Sequence, residues 1–128
     1  MKMAYIILAH GSRDPQWRYN VEAMAAQLQA SAPEAAVACA YLELCEPTLA
    51  QVAQALVAQG RHHMRVLPLF FGIGKHASED IPQRLADLRA LHPQLHIELL
   101  PAAGDDPGVR QAVVALALGQ GPMDTAAP

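Results

Sequence analysis

Short apolar runs along this chain alternate with longer stretches in which apolar residues recur every three or four positions. Residues 3–9, Met-Ala-Tyr-Ile-Ile-Leu-Ala, are continuously apolar, the pattern of a strand buried on both faces. Residues 36–42, 64–71 and 95–100 read as three further strands. Pro68 belongs at the end of the third, or at a bulge, because it has no N–H for the ladder. Between these runs, four sets of residues fall at helical spacing. They are Trp17, Val21, Met24, Ala25 and Leu28; Leu49, Val52, Ala53, Leu56 and Val57, closed by Gly60; Ile81, Leu85, Leu88 and Leu91; and Val109, Ala112, Val113, Leu116 and Ala117. Asp14–Pro15, Glu46–Pro47 and Asp106–Pro107 each set an acid and a proline where a helix should start. There a carboxylate can accept orphan N–H groups and proline loses no hydrogen bond.

Strands alternating with helices predict an α/β fold: a single three-layer domain whose four-stranded parallel sheet is flanked by helices. The pattern assigns residues 1–118 to this domain and leaves 119–128, which lack apolar periodicity, as a flexible C-terminal tail. In open parallel sheets, ligands bind beyond the carboxyl ends of the strands. Chemistry is therefore expected on the segments after residues 9, 42, 71 and 100.

Length and composition narrow the function. The 128 residues, 52% hydrophobic and 16% charged, suit one domain that needs no metal or disulfide to fold. No run reaches the roughly 20 apolar residues of a membrane span. The apolar start is too short for a signal peptide and runs straight into His10–Gly11, so the expected location is the cytoplasm. A net charge of −3, with 9 scattered basic residues, argues against nucleic acid as a partner. Cys39 and Cys45 are too few for a disulfide framework, and their spacing is not a zinc spacing.

His10 follows the first strand, Glu43 the second, and His76 lies in the segment 72–80 after the third, read here as a loop. Two imidazoles and a carboxylate from separate elements can hold a divalent metal with open positions, or move protons near neutral pH. That donor set suits Fe2+, Co2+ and Ni2+ alike. Arg13 and Lys75 stand beside the two histidines, which suggests an anionic substrate. Gly72-Ile73-Gly74 lets backbone approach a flat ligand, or simply allows a turn. Phe70 and Phe71 can stack on a planar ligand, with core packing the expectation for at least one of them. Cys45 either touches the ligand or packs. Of the other histidines, His62–His63 read as a solvated turn, His92 as a partner for the last carbonyls of the third helix, and His96 as a surface strand residue. Cys39 reads as a small core residue.

Three segments together carry a resemblance: Leu8-Ala-His-Gly-Ser-Arg-Asp-Pro15, Tyr41-Leu-Glu-Leu-Cys-Glu-Pro-Thr-Leu49, and Leu67 to Pro82 with its Phe-Phe-Gly-Ile-Gly-Lys-His-Ala-Ser-Glu-Asp core. In this order and spacing they resemble the small sirohydrochlorin chelatases, class II tetrapyrrole chelatases of the siroheme and cobalamin pathways. The resemblance covers about residues 3–118. It implies ATP-independent insertion of Co2+ or Fe2+ into sirohydrochlorin, with the metal as substrate and no organic cofactor. It further implies that His10 and His76 bind the metal, with His10 as proton acceptor and Glu43 as the acidic partner. Residues 71–75 (Phe71, Gly72, Ile73, Gly74, Lys75) and Cys45 match positions where family members hold the macrocycle. Arg13, Lys75 and helix N-termini suit its carboxylates. Larger relatives carry two such halves, so a homodimer is implied here.

Two other function classes stand beside this one. A histidine phosphatase uses a nucleophilic histidine before glycine, but expects an arginine where Ala9 stands. A metal or tetrapyrrole carrier needs the same ligands as a chelatase and differs only in lacking turnover.

Overall fold

The computed structural model describes residues 2–120. Strands β1 (Met3–Ala9), β2 (Ala36–Tyr41), β3 (His63–Pro68) and β4 (His96–Leu99) form one parallel sheet in the order β2-β1-β3-β4. The helices between and after them are α1 (Tyr19–Ser31), α2 (Leu49–Ala58), α3 (Lys75–Leu91) and α4 (Pro107–Ala117). Short 3-10 turns at Pro15–Arg18 and Ala103–Asp105 precede α1 and α4.

The expected three layers form because the sheet has two apolar faces. Ala4, Ile6 and Leu8 of β1, with Ala40, Met64, Val66 and Ile97, bury against Leu49, Val52, Ala53 and Leu56 of α2 and Ile81, Leu85 and Leu88 of α3. On the other face, Ile7, Ala9 and Tyr41 bury against Val21, Ala25 and Leu28 of α1. Alternation along β1 thus feeds both cores, as its continuous apolar run requires. Pro68 closes β3, where its missing N–H costs nothing, and Leu69 N–H still reaches Leu8 O at 2.8 Å. Cys39 packs against the α1-side core as expected.

The structure corrects several expectations. Asp14 and Asp106 do cap, accepting Gln16 N–H and Val109 N–H respectively. Glu46–Pro47 does not. Thr48 caps α2 in a reciprocal box with Gln51 (3.2 and 2.8 Å), and Glu46 accepts the Gln51 side-chain amide instead. Segment 72–80 is not all loop, because α3 starts at Lys75 after the extended Gly74. Its first six residues are polar or small and carry no apolar stripe, and Pro82 lies inside the helix. Leu91 is 70% exposed rather than packed.

His62–His63 is not a solvated turn: both are half-buried, and the His63 ring stacks on the His96 ring at 4.9 Å. His92 does not serve the helix carbonyls with Nε2, which is buried without a partner, as is Nδ1 of His62. At the C-terminus, Gly119 and Gln120 close α4 through bonds to Leu116 O and Ala115 O, while residues 121–128 of the expected tail lie outside the described residues.

Candidate active site

The switch in strand order falls between β1 and β3, whose carboxyl ends lie side by side at the centre of the sheet. His10 leaves β1 there. Backbone bonds tie it to the residues after β2: Leu42 N–H donates to Ala9 O and His10 O, and Glu43 N–H donates to His10 O at 3.0 Å. Gly11 makes this approach feasible. Its φ is +112°, and a Cβ at that position would stand 1.8 Å from Glu43 O. Cys45 N–H donates back to Glu43 O at 2.8 Å, closing a tight turn around Leu44, whose φ of 69° is unusual for a leucine. Sterically costly backbone on both sides of Glu43 thus fixes where its side chain begins.

That side chain meets His10, with Nε2 2.7 Å from Glu43 Oε1, and both groups are more than half exposed. Nδ1 is left as the ring nitrogen not engaged with Glu43. The His10 ring also stands edge-on to buried Phe70, 6.4 Å between centroids. Phe70 is therefore the core member of the phenylalanine pair, and Phe71 is 70% exposed. Gly104 backs onto this pair: its N–H donates to Phe70 O at 2.8 Å, so close that a Cβ on Gly104 would meet Phe71 Cα at 2.5 Å.

A cavity of about 360 Å³ is lined by His10, Leu42, Glu43, His76, Ala77, Asp80 and Arg84. The three residues expected to carry the chemistry thus share one cavity, but only His10 and Glu43 touch. Among the described residues, no three His, Cys, Asp or Glu side chains stand close enough together to hold one metal ion. Arg13, Cys45, Phe71, Gly72, Ile73, Gly74 and Lys75 do not line this cavity. Cys45 packs against the α1-side core, whereas Arg13, Phe71, Ile73 and Lys75 are exposed. Two further lining residues, Asp80 and Arg84, are not among those the sequence points to. Their signal was the spacing 76-80-84, which marks one helix face only once Lys75–Leu91 is known to be helical.

Tyr41, at the carboxyl end of β2, is buried, and burial more than any other cause pushes its phenol up to about 12. It packs near Trp17 at 6.3 Å and is a neutral packing group at working pH. Burial likewise pushes the Cys39 thiol up, and its Sγ lies 3.9 Å from Val21 O. Neither group offers a ready charge to this end of the sheet.

The fold is shared with known proteins. In structure, the chain matches a CbiX protein from Marinobacter aquaeolei VT8 with a TM-score of 0.81 and 31% identity, covering 92% of this chain and 96% of that one. It also matches the sirohydrochlorin chelatase SirB from Bacillus subtilis subspecies spizizenii, solved in complex with cobalt, with a TM-score of 0.78 and 30% identity. That match covers 93% of this chain and 51% of SirB. In sequence, it is 31% identical over 113 residues to the sirohydrochlorin ferrochelatase of Bacillus subtilis (strain 168), covering 88% of this chain and 43% of that protein. The chain spans about half the length of the curated relatives it matches first, 43% of one and 58% of the next. The CbiX family model matches residues 4–117, nearly the whole described sheet and its helices, and the chain belongs to that family.

Proposed function

We propose that this chain is a sirohydrochlorin chelatase, inserting Co2+ or Fe2+ into the macrocycle without ATP. The observation that carries this reading is the His10–Glu43 pair at 2.7 Å, in the same cavity as His76, at the switch point of a parallel sheet. Metal insertion exchanges two pyrrole N–H protons for one divalent cation, so the site must accept protons and replace the cation's water. His10, more than half exposed, takes the two pyrrole protons in turn and passes each to solvent, and Glu43 orients its ring and sets negative charge beside it while a proton is held. His76 holds the cation as water leaves. Arg13 and Lys75 serve the substrate carboxylates. Exposed Phe71 and Ile73, with the backbone of Gly72 and Gly74, meet the macrocycle, while Cys45 packs against the core beside the Glu43 turn. We place its action in the cytoplasm; no described helix is long and apolar enough to cross a membrane.

The test is direct. Purified protein mixed with sirohydrochlorin and either Co2+ or Fe2+ is expected to metallate many equivalents, read as the change in macrocycle absorbance. Binding of a single equivalent without further turnover would make the protein a carrier.

The working unit of this proposal is a homodimer. Helix α4 has no buried residue, and Val113, Val114, Leu116 and Leu118 are 46% to 65% exposed. An 11-residue helix with an uncovered apolar surface is marginal alone in water. The match takes up only about half of the longer relatives, 43% of one and 51% of another. A second copy is the cover we propose. Light scattering coupled to size exclusion is expected to give a dimer, and the V113E/L116E double variant a folded monomer by far-UV circular dichroism. The substitutions touch no buried residue, so folding should survive them. A monomeric unaltered chain, or a dimeric double variant, would remove α4 from the interface.

A further inference from the structure

The cavity that holds His10, Glu43 and His76 contains a second carboxylate that the proposed chelation does not use. Asp80 lies four residues after His76 on α3, and Arg84 four residues after Asp80, so the three share one helix face that lines the cavity. Residues at this spacing are neighbours, with Cβ atoms about 5–6 Å apart. An imidazole and a carboxylate so placed on one rigid helix can ligate the same divalent cation, nitrogen from one turn and oxygen from the next.

The carboxylates of the cavity are held differently. Glu43 meets the neutral-or-cationic ring of His10, whereas Asp80 Oδ2 accepts Nε–H from the permanently charged Arg84. The Asp80–Arg84 pair is partly exposed, so solvent competes with it and either partner can exchange. Arg84 thus acts as the resting counterion of a carboxylate that faces the same space as His76.

We propose that Asp80 and His76 form the docking site for the incoming divalent cation, with Asp80 leaving Arg84 as the cation arrives. No bond beyond metal coordination forms, and the guanidinium keeps its proton. The cation then stands in the cavity of the His10–Glu43 pair, where a macrocycle would lose its protons. This assignment rests on the chelatase reading for its purpose, but the binding step does not need the macrocycle.

The experiment measures Co2+ binding to the full chain by calorimetry without tetrapyrrole, then KM for each substrate. Asp80→Asn is expected to weaken Co2+ binding about tenfold or more. It should raise KM for Co2+ to match while leaving KM for sirohydrochlorin unchanged. Arg84→Gln breaks the same pair from the other side and is expected to bind Co2+ at least as tightly as the unaltered chain. If the pair only braces α3, the two variants will behave alike, and that result overturns the proposal. Equal Co2+ affinity in Asp80→Asn and the unaltered chain also overturns it and leaves the chelatase reading standing. Co2+ binding that depends on Asp80, in a protein that metallates nothing, would uphold the docking site and end the chelatase reading.

Discussion

His10→Ala is expected to metallate sirohydrochlorin about 10²–10⁴-fold more slowly than the unaltered chain, the range a positioned general base contributes. The fold should not change, because the His10 side chain is 59% exposed and its one polar partner, Glu43, is equally open to water. What disappears is the ring that Glu43 orients, at a direct contact between two of the expected chemistry-bearing side chains. Glu43→Gln separates the two jobs of that contact. An amide can still hold the ring, but it sets no negative charge beside a ring carrying a proton, so its loss should be smaller than that of His10→Ala. Stopped-flow absorbance of the macrocycle with saturating Co2+ reads both variants on one scale. Near-normal rates in His10→Ala would transfer the proton-accepting role to another group, and His76 is the next imidazole on the same cavity wall.

Particular residues show why some of this site could be read from the sequence and some could not. His10 and Glu43 follow short apolar runs that read as strands, and a parallel sheet directs such strand ends to one edge. His76 was equally visible as a residue after the third strand, but its setting was not. Lys75 to Asp80 have no apolar stripe because the first turns of α3 stand clear of the core, so periodicity had nothing to report. Asp80 and Arg84 became neighbours of His76 only when that stretch proved helical. The same limit applies in reverse to Leu91 and to α4. Apolar spacing marks a stripe that needs covering, yet says nothing about whether this chain supplies the cover. At Glu46–Pro47 the failure was one of competing signals. Thr48 with Gln51 three residues on is a complete capping box, and it overrides an acid–proline pair just upstream.

Gly11→Ala should be the most damaging substitution that removes no functional group. The new Cβ would sit 1.8 Å from Glu43 O, which no rotation can relieve because both atoms belong to backbone positions. The φ of +112° adds a further cost for any residue with a Cβ. Relief requires the segment after β1 to withdraw from the segment after β2, stretching the bonds from Leu42 N–H and Glu43 N–H to His10 O, which are 3.1 and 3.0 Å. That movement parts His10 from Glu43. A misplacement of about 1 Å can cost on the order of 10²-fold in rate, so metallation should fall nearly as far as in His10→Ala although both side chains remain. Stability should fall as well, by about 2 kcal/mol or more, since buried Ala9 and Tyr41 flank the disturbed segment. Gly72→Ala and Gly74→Ala are the controls. Neither has an atom within 4 Å of its would-be Cβ and neither has a positive φ, so urea midpoints for both should match the unaltered chain. If Gly11→Ala shares that midpoint and metallates normally, the close backbone approach is not what sets the His10–Glu43 pair.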